Sequence, residues 1–310
     1  MALPLPTSLS PSKVSTFKDC ALAFRFSAID KLPEPPSEPA VKGTTVHRAL
    51  ELLLSEPAGA RTPELADGCL ATALEEMRAD EEYLGLGLDE VGAARFAADA
   101  EGMVERYFTL EDPRTVEPVG LEMMLEAAVG TVTVRGIIDR LERDASGALV
   151  VTDYKTGRAP SVNQERSRLG GVHFYAYLCQ AVLGELPSRV QLIYLGREPQ
   201  VITATPNEQS VRGLERKVGA IWSAVERACA TEDFRPKPSA LCNWCAFTAY
   251  CPAFGGNPDE ARGAGVVALD PPALPLTGTL TGTDTDTGGA VGPAAPAEVP
   301  VGVHPHGAAS

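Results

Sequence analysis

No stretch of the sequence approaches the roughly 18–20 consecutive apolar residues of a membrane span. The opening residues, Met1-Ala2-Leu3-Pro4-Leu5-Pro6, lack the basic segment and long apolar run of a secretory signal. The expectation is a cytoplasmic chain with no membrane association. Positive charge is also scarce: 27 Lys and Arg stand against 41 Asp and Glu, a formal net charge of -14. Phosphate binding rests on Lys and Arg, so the surface as a whole is a poor polyanion binder, although a local basic groove is still allowed. Cysteine is odd in number at seven, and without an export signal this argues against a secreted disulfide framework. Beyond Gly255 there is no apolar periodicity, only Gly, Pro, Ala and Thr around Thr-Gly-Thr-Leu-Thr-Gly-Thr-Asp-Thr-Asp-Thr. Such a segment cannot bury enough surface to offset chain entropy, so 255–310 is expected to be a disordered tail. Residues 1–12, rich in Pro and Ser, are expected to be flexible.

What remains, residues 13–254, has the pattern of one α/β domain. Ser12 is a candidate cap for a short helix through Val14, Phe17 and Phe24, and the Pro-rich segment 32–39 reads as a linker. Helical periodicity is expected over 46–54, 64–82 and 89–109. Strand patterning then takes over at 119–129, 131–142 and 148–155, with a turn at Asp144-Ala145-Ser146-Gly147. A helix near 164–184, strands near 189–196 and 199–204, and a helix over about 207–230 complete the order. This order implies a mixed central sheet with helices on both sides.

The chemistry is concentrated on the central hairpin. One strand ends in Gly136-Ile137-Ile138-Asp139-Arg140, and the next in Val150-Val151-Thr152-Asp153-Tyr154-Lys155-Thr156-Gly157. Alternate strand residues share a face, so Asp153 and Lys155 point together while Tyr154 points away. Asp139, on the partner strand, is placed to approach Asp153. Two carboxylates are the hard oxygen ligands that Mg²⁺ prefers. An ammonium beside them suits the charge that develops in phosphodiester hydrolysis. Asp139, Asp153 and Lys155 are therefore the candidate catalytic residues. Arg158, just past the strand, is a candidate phosphate contact, alongside Lys13, Lys18, Arg25, Lys31, Lys42, Arg166, Arg168 and Arg189.

A second concentration is Cys242-Asn243-Trp244-Cys245, five residues, then Cys251-Pro252. Three thiolates need a fourth ligand, and Cys20 is the candidate. Ligand type allows a four-cysteine iron–sulfur cluster or a zinc site, and spacing leaves both open. Trp244, Phe247 and Tyr250 stand ready to shield such a centre. Cys69, Cys179 and Cys229 lie in apolar helical contexts and read as buried structural residues.

Taken together, Gly136-x-x-Asp139-Arg140, Asp153-Tyr154-Lys155-Thr156-Gly157 and Gly43-Thr44-Thr45-Val46-His47 resemble the RecB-type nuclease family. That family has the restriction-endonuclease-like fold and includes AddB-type and CRISPR-adaptation nuclease domains. The resemblance covers about residues 8–254. It implies a metal-dependent DNA nuclease of the PD-(D/E)XK type, expected to be an exonuclease, acting in DNA repair, recombination or foreign-DNA processing with Mg²⁺ or Mn²⁺. It implies metal ligands at His47, Asp139, Asp153 and the backbone carbonyl of Tyr154, with Glu122 as a supporting acid. Cys20, Cys242, Cys245 and Cys251 match the positions of a 4Fe-4S cluster in iron–sulfur members, with zinc as the alternative occupant. Ala21 stands where a proline usually follows the first cysteine. The next helix normally carries Gln-x-x-x-Tyr; here Tyr175 matches, but Gly171 occupies the glutamine position, with His173 or Gln164 as substitutes. DNA is the implied partner, with a helicase or other repair protein beside it, since no motor fits in this length. The alternative is a non-catalytic DNA-end-binding or scaffolding subunit of a helicase-nuclease complex.

Overall fold

The computed structural model describes residues 2–160 and 170–263. Helix α1 (Pro11–Asp19) is capped by Ser10, whose hydroxyl accepts the Lys13 N–H at 3.2 Å, two residues before the expected cap. It stops at Cys20, whose backbone is extended (φ -158°, ψ 113°). A helical turn, Ala21–Phe24, then runs into a π-turn, Arg25–Ile29. Helix α2 (Glu38–Ser55) starts eight residues before the expected Val46. Pro39 sits in its first turn, where a missing N–H costs no hydrogen bond. The expected linker therefore ends inside a helix. Helices α3 (Pro63–Arg78) and α4 (Glu90–Leu110) are capped by Thr62 and Asp89.

The sheet has strands β1 (Pro118–Val129), β2 (Val132–Arg143), β3 (Leu149–Lys155), β4 (Arg189–Tyr194) and β5 (Gln200–Ala204), in that spatial order. Only β3–β4 is parallel. A parallel pair needs a long crossover, and α5 (Gly170–Leu183) lies within it. Helix α6 (Glu208–Thr231) follows β5 behind a capping box of Asn207 and Ser210. One sheet face packs Val134, Ile138 and Val151 against α5, α6 and the N-terminal segment. The other packs Tyr154 and Ile193 against α2, α3 and α4. The result is the expected mixed sheet between helical layers. Among the described residues, no helix is long and apolar enough to cross a membrane.

The segments on either side of 13–254 make contacts of their own. Strand β3 pairs with β2 only over Arg140–Arg143, so the rest of that β2 edge is open. Leu9, fully buried, fills part of it: its N–H donates to Thr133 O and its carbonyl accepts from Arg135 N–H, both at 2.9 Å. Leu3 N–H donates to Cys229 O at 3.0 Å. At the other end, Glu260–Gly263 forms a 3₁₀ turn and Ala261 is buried in the core. The remainder of the expected tail, from 264, lies outside the described residues.

The β1–β2 ribbon has one local feature that shapes the site. Met123 and Ile138 pack in the α5–α6 core, but their neighbours two residues on, Leu121 and Arg140, lie on the α2–α4 side. Both strands therefore turn over between these pairs, at Glu122 and Asp139. Glu122 makes this possible with a left-handed backbone (φ 45°). For a non-glycine residue that conformation costs on the order of 1–3 kcal/mol.

Candidate active site

The β3 end of the sheet carries the cluster. Asp139 follows directly on the last β2–β3 pair, Arg140 with Thr152, and its Oδ2 accepts the Tyr154 N–H at 2.7 Å. His47 arrives from α2. Its Nε2 lies 3.1 Å from the Tyr154 carbonyl oxygen, which can only accept, so the proton is assigned to Nε2. The Nδ1 of a neutral ring then faces Asp139 Oδ2 at 3.6 Å and Glu122 Oε1 at 4.0 Å as a lone pair. Helix α2 comes this close because Gly43 abuts Thr156: a Cβ there would stand 3.2 Å from the Thr156 hydroxyl oxygen.

Asp153 is buried beside this group and held from two sides. Lys155 forms an ion pair with it, and the Tyr175 hydroxyl donates to Oδ1 at 2.9 Å. Tyr175 reaches it because Gly136 has no side chain. A Cβ on Gly136 would meet Leu178 Cδ1 at 3.0 Å and Tyr175 Cε1 at 3.3 Å, pushing α5 away. The glycine three residues before Asp139 thus serves the neighbouring carboxylate.

The electrostatics are those of crowded negative charge. Burial, then the charges of Asp139, Glu51 and Asp153, push Glu122 up to about 7. Burial and the Asp153 charge raise Asp139 to about 6, against the pull of His47, the Tyr154 N–H and Lys155. For Lys155, burial disfavours the ammonium, but Asp153 and Asp139 outweigh it and hold the pKa above its ordinary value. Burial and Asp153 likewise keep the Tyr175 hydroxyl protonated, as its donor role requires.

Among the described residues, the set of three or more candidate ligands gathered within 4.8 Å of one another is His47, Glu122 and Asp139. An imidazole lone pair and two carboxylates at that spacing repel one another unless a cation lies between them. The donor set, hard oxygens with one nitrogen, suits Mg²⁺ or Mn²⁺. Glu122, read from sequence only as a supporting acid, lies in this tight set; Asp153 adjoins it.

Other expected residues are placed differently. Tyr175, the match to the family tyrosine, gives its hydroxyl to Asp153. His173, two residues before Tyr175 on α5, takes a different face of the helix from Tyr175, and burial and then the Lys217 charge lower its pKa. Gln164, Arg166 and Arg168 lie outside the described residues. Arg25 and Lys42 are buried in ion pairs, with Asp30 at 3.0 Å and with Asp99 at 2.7 Å and Glu38 at 3.1 Å, and are not open to phosphate. Arg189 pairs β3 at Val150, the far end from Lys155. Arg158 is exposed in the loop after β3. That loop is pressed by the one after β4, where a Cβ on Gly196 would stand 2.7 Å from Gly157 O.

Sequence reasoning missed the network behind Tyr154. Arg140, with no exposed surface, donates to the Tyr154 hydroxyl at 2.8 Å, and it ion-pairs with Glu111 and, at 2.9 Å, with Glu142. The sequence offers no distinct signal for it, because β2 also carries Arg135, Asp139, Glu142 and Arg143, and which of these charges is buried is not visible there.

The four cysteines Cys20, Cys242, Cys245 and Cys251 line one cavity of about 250 Å³, together with Phe26 and Phe247. Phe26 seats the segment through ring contacts with Phe247 (5.4 Å) and Tyr250 (6.2 Å). Burial raises the Cys245 and Cys251 thiols, and the charges of Cys20 and Cys242 add to it. Trp244, expected to shield the cysteines, is 80% exposed.

The sequence matches the PD-(D/E)XK nuclease superfamily over residues 8–252. Solved structures that the chain matches include that of SSO0001 (13% identity, TM-score 0.39, covering 81% of this chain and 88% of that one). Another is a "putative exonuclease" from Eubacterium rectale (11% identity, TM-score 0.49, covering 77% of this chain and 87% of that one). No curated protein matches the chain. The family match spans most of the sequence, including the sheet and every residue of the acidic cluster, and the chain belongs to the PD-(D/E)XK nuclease superfamily.

Proposed function

We propose that the chain is a metal-dependent deoxyribonuclease, acting as an exonuclease of the RecB type. The observation that carries this reading is the cluster itself: His47, Glu122 and Asp139 within 4.8 Å of one another, with the Lys155–Asp153 ion pair beside them. His47, Glu122, Asp139 and Asp153 would hold Mg²⁺ or Mn²⁺; the Tyr154 carbonyl, expected as a further ligand, accepts the His47 Nε2 proton. When bound, the cation lowers the pKa of water and neutralises charge on phosphoryl oxygens.

The protein groups have distinct tasks. Tyr175 fixes the orientation of Asp153. Lys155 keeps its proton and offers it as a hydrogen bond to the attacking water or to a phosphoryl oxygen. Its ion pair with Asp153 is the resting arrangement, which substrate competes for. Arg158, exposed after the catalytic strand, is a phosphate contact.

Cys20, Cys242, Cys245 and Cys251 would hold a 4Fe-4S cluster. A single tetrahedral zinc at about 2.3 Å from each sulfur draws its ligands to about 3.8 Å of one another. No three of these sulfurs lie within 4.8 Å of one another, and the four-iron assignment rests on the match of the four cysteine positions to those of iron–sulfur family members, with zinc as the alternative occupant. The Ser239 N–H donates to Cys242 Sγ at 3.3 Å, as a thiolate ligand accepts. The cluster would close the N-terminal segment onto the C-terminal end of the domain. The cellular role is end processing of DNA in repair, recombination or foreign-DNA removal in the cytoplasm, beside a helicase that supplies unwinding.

The test is purification without oxygen, assay of iron and sulfide, and cleavage of end-labelled single- and double-stranded DNA with Mg²⁺ or Mn²⁺. Cleavage abolished by Asp153→Ala supports the reading. A wild-type protein that binds DNA ends and cuts with neither metal makes the chain a scaffolding subunit. Zinc in place of iron overturns the cluster assignment alone.

A further inference from the structure

The same ribbon that presents Glu122 and Asp139 continues outward, and its next residues form an ordered series. Opposite one another in the β1–β2 register stand Met124 with Ile137, then Glu126 with Arg135. Glu122 and Asp139 fall between Leu121–Arg140 and Met123–Ile138, so the two carboxylates and then the Met124–Ile137 and Glu126–Arg135 pairs follow one another along the ribbon. Met124 is 56% exposed and Ile137 45%. Two large apolar side chains are thus left in solvent one step from the carboxylates. Beyond them Arg135 is 45% exposed and pairs with Glu126 at 3.0 Å. Lys13 on α1 donates from its ammonium to Ser8 O at 3.2 Å, beside Leu9, whose carbonyl accepts the Arg135 N–H; burial and then the charges of Arg135 and Lys31 lower its pKa. In a chain with net charge -14, three neighbouring cations are a local exception.

Resting on the reading of the cluster as a DNA site, we propose that Met124 and Ile137 seat an unpaired nucleobase next to the phosphate held at the carboxylates, and that Arg135, Lys13 and Lys31 take the phosphates that follow. The substrate class is a single strand or a frayed strand end. The Met124–Ile137 and Glu126–Arg135 pairs, on the regular part of the ribbon, are about 6.8 Å apart, whereas a duplex rises about 3.4 Å per nucleotide. A strand laid along the ribbon one nucleotide per pair must therefore be stretched and unstacked. In a duplex each base face is covered by its neighbours. A free base offers a π-face to a flat apolar surface, in the manner of sequence-tolerant single-strand binding. The order of chemistry along the ribbon, cation site, apolar step, basic group, repeats the order of phosphate, base and phosphate along such a strand.

The test reads binding, so it does not depend on cleavage. Fluorescence anisotropy with Ca²⁺ in place of Mg²⁺ measures a labelled single-stranded oligonucleotide, its duplex, and a series with one abasic nucleotide moved along the strand. Met124→Ser with Ile137→Ser removes two half-exposed side chains. It should weaken single-strand binding by roughly tenfold and duplex binding by less than about twofold, with the salt slope unchanged. One abasic position should cost the wild type the same factor and cost the double variant nothing more. Lys13→Gln with Arg135→Gln should instead flatten the salt dependence by about 0.7 per lost contact. Equal single-strand affinity for double variant and wild type, equal loss on single strand and duplex, or no DNA binding by the wild type overturns the proposal. So does a wild-type dimer that the double variant converts to a monomer with DNA affinity unchanged, which would make the apolar pair a self-association surface. A protein that binds as proposed but cuts nothing under Mg²⁺ or Mn²⁺ fails as a nuclease and leaves the base seat standing.

Discussion

The Arg140 guanidinium holds the Tyr154 hydroxyl at 2.8 Å on one face of the sheet, while the Tyr154 backbone holds Asp139 and His47 at the strand's end. One residue therefore couples a buried ionic network to the acidic cluster. Its N–H orients a carboxylate, its carbonyl fixes the imidazole tautomer, and its ring is anchored from behind. Tyr107 adds to the anchor, with its ring 5.9 Å from that of Tyr154.

Arg140→Met should destabilise the fold by about 3–5 kcal/mol, because it leaves Glu111 and Glu142 without their shared cation. Tyr154→Phe removes only one hydroxyl and should cost about 1 kcal/mol. Urea unfolding of the two variants checks the difference. Similar losses would mean that the ion pairs contribute little.

Gly136→Ala should act on a residue far along the chain. The added methyl meets Leu178 and Tyr175, so α5 must shift, at a cost of about 1–3 kcal/mol. Tyr175→Phe leaves the helix in place and deletes the hydrogen bond to Asp153. Cation affinity should fall about tenfold or more in both, as when an outer partner of a ligand is lost. Mn²⁺ titration of cleavage, alongside unfolding curves, separates packing from orientation.

Lys155→Ala and Asp153→Ala should each lower the cleavage rate by about 10²-fold or more, with the fold retained. Circular dichroism and a gel assay on the same preparations decide this. Unchanged cleavage in Lys155→Ala would remove the lysine from the mechanism.

Metal and pH should be linked. Glu122 rises from 4.5 to about 7 and Asp139 from 3.8 to about 6 on folding, so the folded state holds protons that the unfolded chain has already released. Stability from these groups is full below about pH 4 and is lost as pH rises through about 6 to 7. The metal-free protein should therefore lose what remains of this contribution between pH 5 and pH 8, and Mn²⁺ should restore more at pH 8, where both acids are free to bind it. Thermal melts in EDTA and in Mn²⁺ at the two pH values test this; an equal Mn²⁺ effect at both would contradict it.

Much of this was legible in the sequence, for local reasons. The β-branched run through Ile137 and Ile138 and the apolar Leu149–Val151 specify strands, and a period of two puts Asp153 and Lys155 on one side. The helices of the α2–α4 layer follow from 3.6-residue periodicity, and the crossover from the helix between β3 and β4. The clustering of Cys242, Cys245 and Cys251 is visible in their spacing alone.

Tertiary structure decided what depends on breaks in those periods. Nothing in Val119-Gly120-Leu121-Glu122 announces a left-handed residue, yet the turn-over of the ribbon there brings Glu122 into the cluster and puts Arg140 on the buried face away from Ile138. Leu9 is ordered because β3 is too short to cover the β2 edge, a fact about a strand 140 residues away. Tyr175 became an orienting group because Gly136 lets a helix approach. Periodicity reports which side of its own element a residue takes. Which partner it meets there depends on how the elements pack, and that is where the roles of Glu122, Arg140 and Tyr175 were determined.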